Sequence, residues 1–391
     1  MKTKHILISG ASIAGPALAY WLHRYGFQVT IVERAPHIRP GGYAVDFRGA
    51  AMQVLDRMDL TGNIRQFETR SGKISIVNKR NKEVARMPDS FTSGELEILR
   101  GDLANVFYEA TRHDVEYIFD NSITAIAEDA TGATVTFLCG NTRRFDIVVG
   151  ADGLHSKVRS IAFGEESQFS HHLGIYFAIF TVPNFMQLQN MAGLFYSSLG
   201  KRIGVFSARE DKEARASLYF SAPAFSYSYR DTKVQQQIIR ERFANDEWVV
   251  PQLLEYMDQT DDFYFDAACQ IKMDSWSSGR VTLMGDAAHC SSPLSGMGTS
   301  MAVVGAYVLA GELKAASGEH TVAFARYEAQ MRDFVTAGQK MADGADWFVP
   351  STPFKLWMSE KIWKILPYTP WKNMMIEMPM KVANSITLKQ Y

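Results

Sequence analysis

The first residues with a recognisable chemistry form the turn from Gly10 to Gly15, which reads Gly-Ala-Ser-Ile-Ala-Gly and is followed by an acidic residue at Glu33. Glycines at this spacing allow a tight turn whose following helix points its N-terminus at a pyrophosphate, and a carboxylate at Glu33 can accept a hydrogen bond from a ribose hydroxyl. Ser12 stands where the fingerprint has its middle glycine, and its Cβ can crowd the pyrophosphate. The pattern predicts FAD or NAD rather than NADP, with a phosphate-free glycine turn as the alternative.

Two further segments combine glycine with charged residues. Residues 150–159 read Gly-Ala-Asp-Gly-Leu-His-Ser-Lys-Val-Arg, and residues 285–289 read Gly-Asp-Ala-Ala-His, followed by Pro293 and by a glycine-rich turn at 296–298. Each segment alone is equally consistent with a simple turn, since Asp-Gly pairs are common turn residues. The turn at 296–298 stands before a helical pattern, whose N-terminal partial positive charge favours an anionic group; a simple helix cap is the alternative.

These segments need elements that bring them together. The apolar run 5–9, the helical spacing of 16–25 and the β-branched run 28–33 predict a strand, a helix and a second strand. Such a βαβ unit pairs its strands in parallel through a right-handed crossover. Residues 281–284 predict another short buried strand of this kind, so the first domain is discontinuous in sequence.

The middle of the chain, residues 171–268, consists of alternating segments that are rich in aromatic residues. This texture predicts an antiparallel sheet with its own core. A hairpin is predicted from residues 73–77 and 83–87. Helices are predicted at 50–58, 101–111, 232–243, 301–313 and 323–341.

Composition excludes several classes of protein. With 391 residues, 47% hydrophobic and 21% charged, the chain can bury more than one core. The 41 Lys plus Arg and 42 Asp plus Glu give a net charge of −1, so no nucleic-acid partner is expected. The three cysteines are far apart and form no Cys-x-x-Cys pair, which fits neither a disulfide framework nor a zinc site. We expect a cytoplasmic protein with no signal peptide and no membrane span.

The three glycine-containing segments, taken in order, resemble the group A flavoprotein monooxygenases, the aromatic-hydroxylase family. In that family the glycine-rich βαβ unit binds the ADP part of FAD, an Asp-Gly-x-x-Ser-x-x-Arg segment lies near FAD and the nicotinamide donor, and a Gly-Asp-Ala-Ala-His segment holds the ribityl chain. All three occur here between residues 10 and 298, so the resemblance covers nearly the whole chain.

The resemblance implies a fold class and a domain organisation. The fold is α/β, with an FAD-binding Rossmann-like domain of the GR2 type interleaved with an antiparallel-sheet substrate domain and followed by C-terminal helices. The FAD-binding domain is expected at 1–72, 98–168 and 272–340, the substrate domain at 73–97 and 169–271, and a C-terminal helical lid at 341–391. The tail could instead touch a membrane surface, but its prolines and scattered lysines favour a packed lid.

The resemblance also places individual residues. It implies Glu33 and Arg34 at the adenosine ribose. It also implies Arg100 with Asp102 beside the ribityl chain and pyrophosphate, and Asp286 at the ribityl hydroxyls. Asp46 and Arg48 are candidates for the flavin edge, with solvent-facing charges as the alternative. The candidate cofactor-binding residues are Gly10, Ser12, Ile13, Ala14, Gly15, Glu33, Arg34, Asp46, Arg48, Arg100, Asp102, Asp152, Gly153, Asp286, Pro293, Gly296, Met297 and Gly298.

The reaction implied by the resemblance begins with NADPH or NADH reducing FAD. Oxygen then forms the flavin C4a-hydroperoxide, which transfers one oxygen atom to an electron-rich aromatic or enol substrate. The cofactor carries this chemistry, so no catalytic side chain and no metal ligand is assigned. The segments Gly-Gly-x-x-x-Asp and Ile-Leu-Arg-Gly-Asp-Leu and the C-terminal helices are similar to the tetracycline-inactivating and polyketide-hydroxylating branch, and hydroxylation and Baeyer-Villiger insertion both stay open.

The aromatic positions of the predicted sheet suggest a bulky polycyclic or aromatic substrate held by packing. Half of them must point away from any pocket, because side chains alternate along a strand. The candidate substrate contacts are Phe177, Phe195, Tyr219 and Met297.

Other readings of the same residues are less favoured. His289 is expected to pack and hydrogen-bond at its turn rather than act as a base, and the adjacent His171 and His172 point to opposite faces of a strand rather than to one metal. A flavin halogenase lacks support because no Trp-x-Trp pair occurs. A flavin-dependent dehydrogenase or reductase and a non-enzymatic flavin redox sensor are the alternative functions.

Overall fold

The computed structural model describes residues 4–69, 72–87, 94–369 and 371–391, so the parts of the predicted domains at 1–3, 70–71, 88–93 and 370 lie outside the described residues. The strands, in chain order, are β1 His5–Ser9, β2 Gln28–Val32, β3 Ala44–Phe47, β4 Ile74–Val77, β5 Glu83–Arg86, β6 Leu96–Leu99, β7 Glu116–Ile118, β8 Ile123–Asp129, β9 Gly132–Phe137, β10 Thr142–Phe145, β11 Ile147–Gly150, β12 Ser170–Pro183, β13 Gly193–Ser198, β14 Lys201–Ala208, β15 Glu213–Ser221, β16 Tyr264–Ile271, β17 Ser277–Ser278 and β18 Val281–Leu283.

The α-helices, in chain order, are α1 Ala14–Arg24, α2 Ala50–Arg57, α3 Thr61–Arg65, α4 Arg100–Glu109, α5 Lys157–Ala162, α6 Thr232–Phe243, α7 Val250–Met257, α8 Asp286–His289, α9 Gly298–Ala315, α10 His320–Lys340, α11 Ala345–Phe348, α12 Pro353–Ile365 and α13 Trp371–Ala383. Short 3₁₀ helices lie at Glu166–Gln168, Pro293–Ser295 and Leu366–Tyr368.

The first layer is a six-stranded sheet in the order β17-β18-β11-β1-β2-β7, parallel except for the edge strand β17. Ile6, Leu7 and Ile8 of β1 are fully buried, as expected for a parallel strand that is covered on both faces. The predicted βαβ unit is confirmed, and the predicted strand at 281–284 is confirmed as β18.

Helix α9 lies in the hydrophobic core that packs against this sheet. Residues 287–311 contain no Asp, Glu, Lys or Arg, and the helix is buried nearly all round against α1, α2 and α10. An apolar helix of this kind belongs in a protein core. Within the described ranges, no helix has the length and apolar character needed to cross a bilayer.

The second layer is a seven-stranded sheet in the order β16-β12-β15-β14-β13-β4-β5. Its pairs are antiparallel except that β13 pairs with β4 in parallel, so the sheet is mixed rather than purely antiparallel as the sequence predicted. The difference arises because β4 enters the sheet from a much earlier part of the chain, which requires a long crossover rather than a hairpin. The predicted hairpin is confirmed as β4 and β5, and helix α6 has the predicted bounds.

Two smaller sheets and the tail complete the fold. Strands β8, β9 and β10 form a three-stranded sheet, and β3 pairs with β6. In the tail, Phe348 of α11 packs against the second sheet, while the final residues return to α9. There the hydroxyl of Tyr391 donates to Glu312 Oε1 at 2.8 Å, and the carbonyl oxygen of Lys389 accepts from Tyr307 Oη at 2.7 Å. The tail therefore joins the two layers.

Candidate functional site

Three glycine-containing turns meet at one edge of the six-stranded sheet. Strand β1 pairs with β11, which pairs with β18, all in parallel, so their carboxyl ends share that edge. The amide of Ala151 donates to Ser9 O at 2.8 Å, and the amide of Met284 donates to Gly150 O at 2.9 Å. A ligand that crosses this edge would contact all three turns, which is the usual binding position in an open parallel sheet.

The first turn requires its glycines. Gly10 has φ of +107°, and a Cβ there would lie 2.4 Å from Ala151 O. A Cβ on Gly15 would lie 1.9 Å from Gly10 O. Ile13 is buried before α1, and the side chain of Ala14 lies beside Gly285. The first turn thus packs directly against the other two.

Glu33 is placed beside this turn. Its carboxylate accepts from the amides of Ala11 and Ala35, each at 2.8 Å, so it is held at the end of β2 next to the start of α1. Arg34 is exposed at the same strand end. Both residues occupy the place where an adenosine ribose follows a pyrophosphate in dinucleotide folds.

Arg100 brings a cation to the same turn. Its Nη1 donates to Ser12 Oγ at 2.6 Å, and a Cβ on Gly42 would lie 2.8 Å from its Nε. Helix α1 begins after Ile13 without a side-chain cap, so the amides of its first turn keep hydrogen-bonding capacity. Uncapped amides beside a guanidinium suit a pyrophosphate, and the Ser12 hydroxyl accepts from that guanidinium.

Asp286 lies in a cleft. Its side chain is exposed to solvent, yet burial raises the pKa of its carboxyl above the ordinary value, so protein atoms surround a carboxyl that solvent still reaches. Tyr264 is in the same situation, 41% exposed with a pKa that burial raises well above the usual range. Tyr43 is close to both, since burial and the charge of Asp286 raise its pKa and its ring centroid lies 6.5 Å from that of Tyr264. The cleft therefore opens between the first layer and strand β16.

Asp46 and Arg48 form a largely enclosed ion pair. Arg48 Nη2 donates to Asp46 Oδ2 at 2.5 Å, and only 12% of the Arg48 side chain is exposed. Burial raises the pKa of Asp46, although the arginine opposes this effect. The residues that the structure describes give the buried Arg48 Nε no hydrogen-bond partner. The pair is not solvent-facing, and an acceptor from a bound ligand would satisfy the remaining N–H.

Several predicted residues have other partners. Asp102 pairs with Arg209 of the second layer at 2.8 Å. Asp152 caps α5 by accepting from the amide of Val158 at 3.1 Å and from the Ser156 hydroxyl. Met297 is buried beneath Gly338 of α10 and does not face the second sheet.

The glycine-rich turn before α9 is close to Asp286. Gly296 is left-handed with φ of +63°, and a Cβ on Gly298 would lie 3.8 Å from Asp286 Oδ1. Pro293 starts the 3₁₀ turn before it, and Leu294 packs against the second sheet. Gly153 also has positive φ, in open space. The turn and the carboxyl therefore form one wall of the cleft.

Arg159 holds the second and third turns together. Its side chain is fully buried, and its guanidinium donates to Ala287 O at 2.9 Å, Leu154 O at 2.5 Å and Glu166 Oε2 at 2.8 Å. A buried cation with these partners fixes the relative position of the two segments.

A charged network that sequence reasoning missed connects the second turn to the second sheet. His155 donates from Nδ1 to Glu166 at 2.9 Å and from Nε2 to Asp266 at 3.2 Å. Burial lowers the pKa of His155, but the two carboxylates outweigh this effect and raise it to about 9. Asp266 also accepts from the hydroxyls of Tyr227 at 2.7 Å and Tyr264 at 2.9 Å. The signal in the sequence was Asp266, an aspartate within an otherwise apolar strand, because a buried aspartate is rare unless it is paired.

One face of the second sheet points at the first layer. Phe177 and Tyr219 are register partners with ring centroids 6.0 Å apart, and Phe195 lies further along the same face. These rings pack with Tyr43 and Phe348. The predicted substrate residues Phe177, Tyr219 and Phe195 are thus brought together.

Arg202 stands on that face and was not predicted. It is a register partner of Tyr219, is only 2% exposed, and lies against two rings, with its Cζ 4.9 Å from the Phe195 centroid and 4.7 Å from the Phe348 centroid. In the sequence, nothing about Lys201 and Arg202 indicates that Arg202 is buried, because a charged residue at a strand start is usually exposed.

The opposite face carries the other aromatic residues. Tyr176, Tyr196 and Phe220 lie with α6 and α7 in a separate core cluster, as alternation along the strands requires. His289 is buried against Trp276 and Tyr327, and burial lowers its pKa to about 4, in keeping with a packing role. His171 is exposed, and no group of three or more metal-ligating side chains occurs in the part of the chain that the structure describes.

Comparison with known proteins decides the family. The family model described as FAD binding domain matches residues 3–339. A flavin-dependent monooxygenase of Legionella longbeachae is 38% identical over 399 residues, which cover 100% of this chain and 99% of the relative. The chain belongs to the FAD-dependent monooxygenases. The expected enzyme class, fold class and FAD cofactor are thereby confirmed.

Two further similarities refine this placement. An uncharacterized protein of Mycobacterium tuberculosis is 48% identical over 342 residues, which cover 86% of this chain and 92% of that protein. The crystal structure of the tetracycline destructase Tet(51) superposes with a TM-score of 0.86 at 34% identity and covers 100% of both chains. This FAD-dependent monooxygenase is therefore of the aromatic-hydroxylase type and close in structure to the tetracycline destructases.

Proposed function

We propose that this FAD-dependent monooxygenase uses NADPH or NADH and O2 to insert one oxygen atom into a bulky aromatic or polycyclic substrate that bears an anionic oxygen. A substrate of the tetracycline or polyketide kind has this chemistry. The similarity to Tet(51), a tetracycline destructase, supports the substrate class.

The observation that carries the proposal is Arg202. Burial lowers the pKa of its guanidinium to about 10, and no carboxylate of the described residues pairs with it. Its Nε donates to Ser197 Oγ at 3.2 Å. A buried cation without a counter-ion is costly, and an enolate, phenolate or carboxylate oxygen would supply the missing charge.

The rings around Arg202 determine what else such a substrate must offer. Phe195 and Phe348 lie against the guanidinium, and Tyr219 and Phe177 continue the aromatic surface. Flat rings stack well on such a surface and exclude water from the charged contact. The geometry favours a substrate that joins an extended ring system to an acidic oxygen.

The residues of the first layer fit FAD through the tight glycine turns, the Arg100 guanidinium, the cleft carboxyl of Asp286 and an Arg48 N–H that has no partner among the described residues. When bound, FAD supplies electron transfer and oxygen activation. The protein's part is to bind and orient. Asp286 would accept from ribityl hydroxyls, the N-terminus of α9 would face the flavin ring, and the aromatic face would hold the substrate against it.

The test is isotopic. The FAD-loaded enzyme, NADPH or NADH, and a panel of polycyclic enols and phenols are incubated under ¹⁸O2, and the products are analysed by mass spectrometry. One labelled atom per product supports the proposal. Unlabelled product that forms equally well under argon would assign the protein to the dehydrogenases, and flavin reduction without any product would favour a redox sensor.

A further inference from the structure

The outer face of α12 is unusually apolar for a surface helix. The side chains of Phe354, Trp357, Ile365 and Tyr368 are exposed by 61%, 54%, 56% and 89%. Single exposed hydrophobic residues are ordinary, but a contiguous group of large ones marks an interaction surface.

Helical spacing places Phe354, Trp357, Lys361 and Ile365 on one face of α12, because they follow one another by three or four residues, the separation that lines up side chains along a helix. Tyr368 continues the apolar surface from the 3₁₀ helix that follows α12. The opposite face is already used, since Ser359 is buried there and Trp363 packs with the aromatic cluster of the second sheet. The outer face has no such partner among the described residues.

Positive charge accompanies the rings. Lys361 and Lys364 are exposed on the outer side of α12, and the Nζ of Lys361 lies 5.8 Å from the Trp357 ring centroid. Residues 345–391 contain six lysines and three acidic residues, whereas the whole chain has a net charge of −1. The tail is thus cationic on an otherwise acidic protein.

We propose that the outer face of α12 docks on an anionic membrane surface and lies in the plane of the interface. Tryptophan and tyrosine favour the headgroup level, phenylalanine and isoleucine favour the acyl boundary, and interleaved lysines pair with lipid phosphates. A second copy of this chain is the weaker fit, because a symmetric contact would bring the Lys361 and Lys364 side chains of the two copies together.

Docking would give α12 two roles in one element. Its inner face covers the aromatic sheet face near Phe195 and Phe348, and its outer face would contact lipid. Apolar compounds concentrate in the bilayer, so the covered sheet would stand next to their source. This inference does not depend on the reaction that the enzyme performs.

The experiment uses the full-length FAD-loaded protein and vesicle sedimentation. One vesicle population contains phosphatidylglycerol and phosphatidylcholine in equal parts, and the other contains phosphatidylcholine alone. We expect binding to the first population that weakens at high salt. K361Q/K364Q should reduce the partition coefficient by more than about tenfold, because each lysine near an anionic surface contributes about fivefold.

A second variant tests the apolar part. F354S/W357S/Y368S should abolish sedimentation while retaining the FAD absorbance of the wild type, and L138S, which alters an equally exposed leucine of another surface, should bind normally. Failure of the wild type to sediment with either population would overturn the proposal. So would a dimeric mass by light scattering that becomes monomeric in the triple variant, since the face would then be a self-interface.

Discussion

Replacing His155 with glutamine should destabilise the protein in a strongly pH-dependent way. The pKa of His155 in the folded protein is about 9, above the ordinary value of 6.5, because the bonds to Asp266 and Glu166 outweigh burial. A raised pKa means that the imidazolium stabilises the fold fully below pH 6.5 and that this contribution disappears as the pH rises through 9.

The magnitude follows from the two pKa values. A change from 6.5 to about 9 corresponds to about 3 kcal/mol of differential stabilisation. The His155 side chain is 25% exposed, so solvent screening reduces the free-energy difference to about 2 kcal/mol. Removal of the ring therefore costs a measurable share of the stability near neutral pH and almost none in alkaline solution.

Urea unfolding at pH 6, 7.5 and 9.5, with FAD at one fixed saturating concentration, measures this difference between wild type and H155Q. FAD must be held constant because a ligand of the folded state adds to apparent stability. The exposed His113 provides a matched control, H113Q, for which we expect no such trend. A difference for H155Q that stays constant from pH 6 to pH 9.5 would refute the reasoning.

Further changes test the site itself. G15A should lose FAD, because its Cβ would lie 1.9 Å from a backbone carbonyl oxygen. The control G62A, where a Cβ meets nothing, should keep FAD. The ratio of flavin to protein absorbance after gel filtration measures FAD retention in both variants. D286A should weaken FAD binding about tenfold without unfolding, since each lost hydrogen bond is worth about 0.5–1.5 kcal/mol; D102N, which faces Arg209, should not. R202M should raise KM for an acidic polycyclic substrate at least about tenfold, because a bond to a charged group is worth about 1.5–3 kcal/mol, and leave FAD binding unchanged.

Local patterns predicted the elements that position the cofactor. The glycines from Gly10 to Gly15 with Glu33 required a βαβ unit, because only that geometry satisfies a tight turn, a helix start and a strand-end carboxylate together. Helix α9 begins at Gly298, three residues before the predicted start, since glycine and threonine residues are poor indicators of a helix interior.

Residues whose partners lie far away in sequence could not be found this way. Asp102, a predicted cofactor residue, also pairs with Arg209, which comes from a turn of the other sheet 107 residues later. Arg202 and His155 are defined by contacts with Phe348 and Asp266, which no local spacing predicts. Met297 belongs to the predicted cofactor turn at 296–298, but only the packing of α10 shows that its side chain enters the core.

The adjacency of β1, β11 and β18 also constrains how the chain reaches its folded state. Neighbouring central strands come from residues 5–9, 147–150 and 281–283, so the sheet closes only after very long loops have been ordered. Such non-local pairing is slow and leaves strand edges open to aggregation in the meantime. As proposed, FAD would contact turns from all three segments, so it would bind only the closed form and draw the equilibrium towards that form by mass action. Riboflavin supply during synthesis would then govern the yield of folded protein, separately from any effect on turnover.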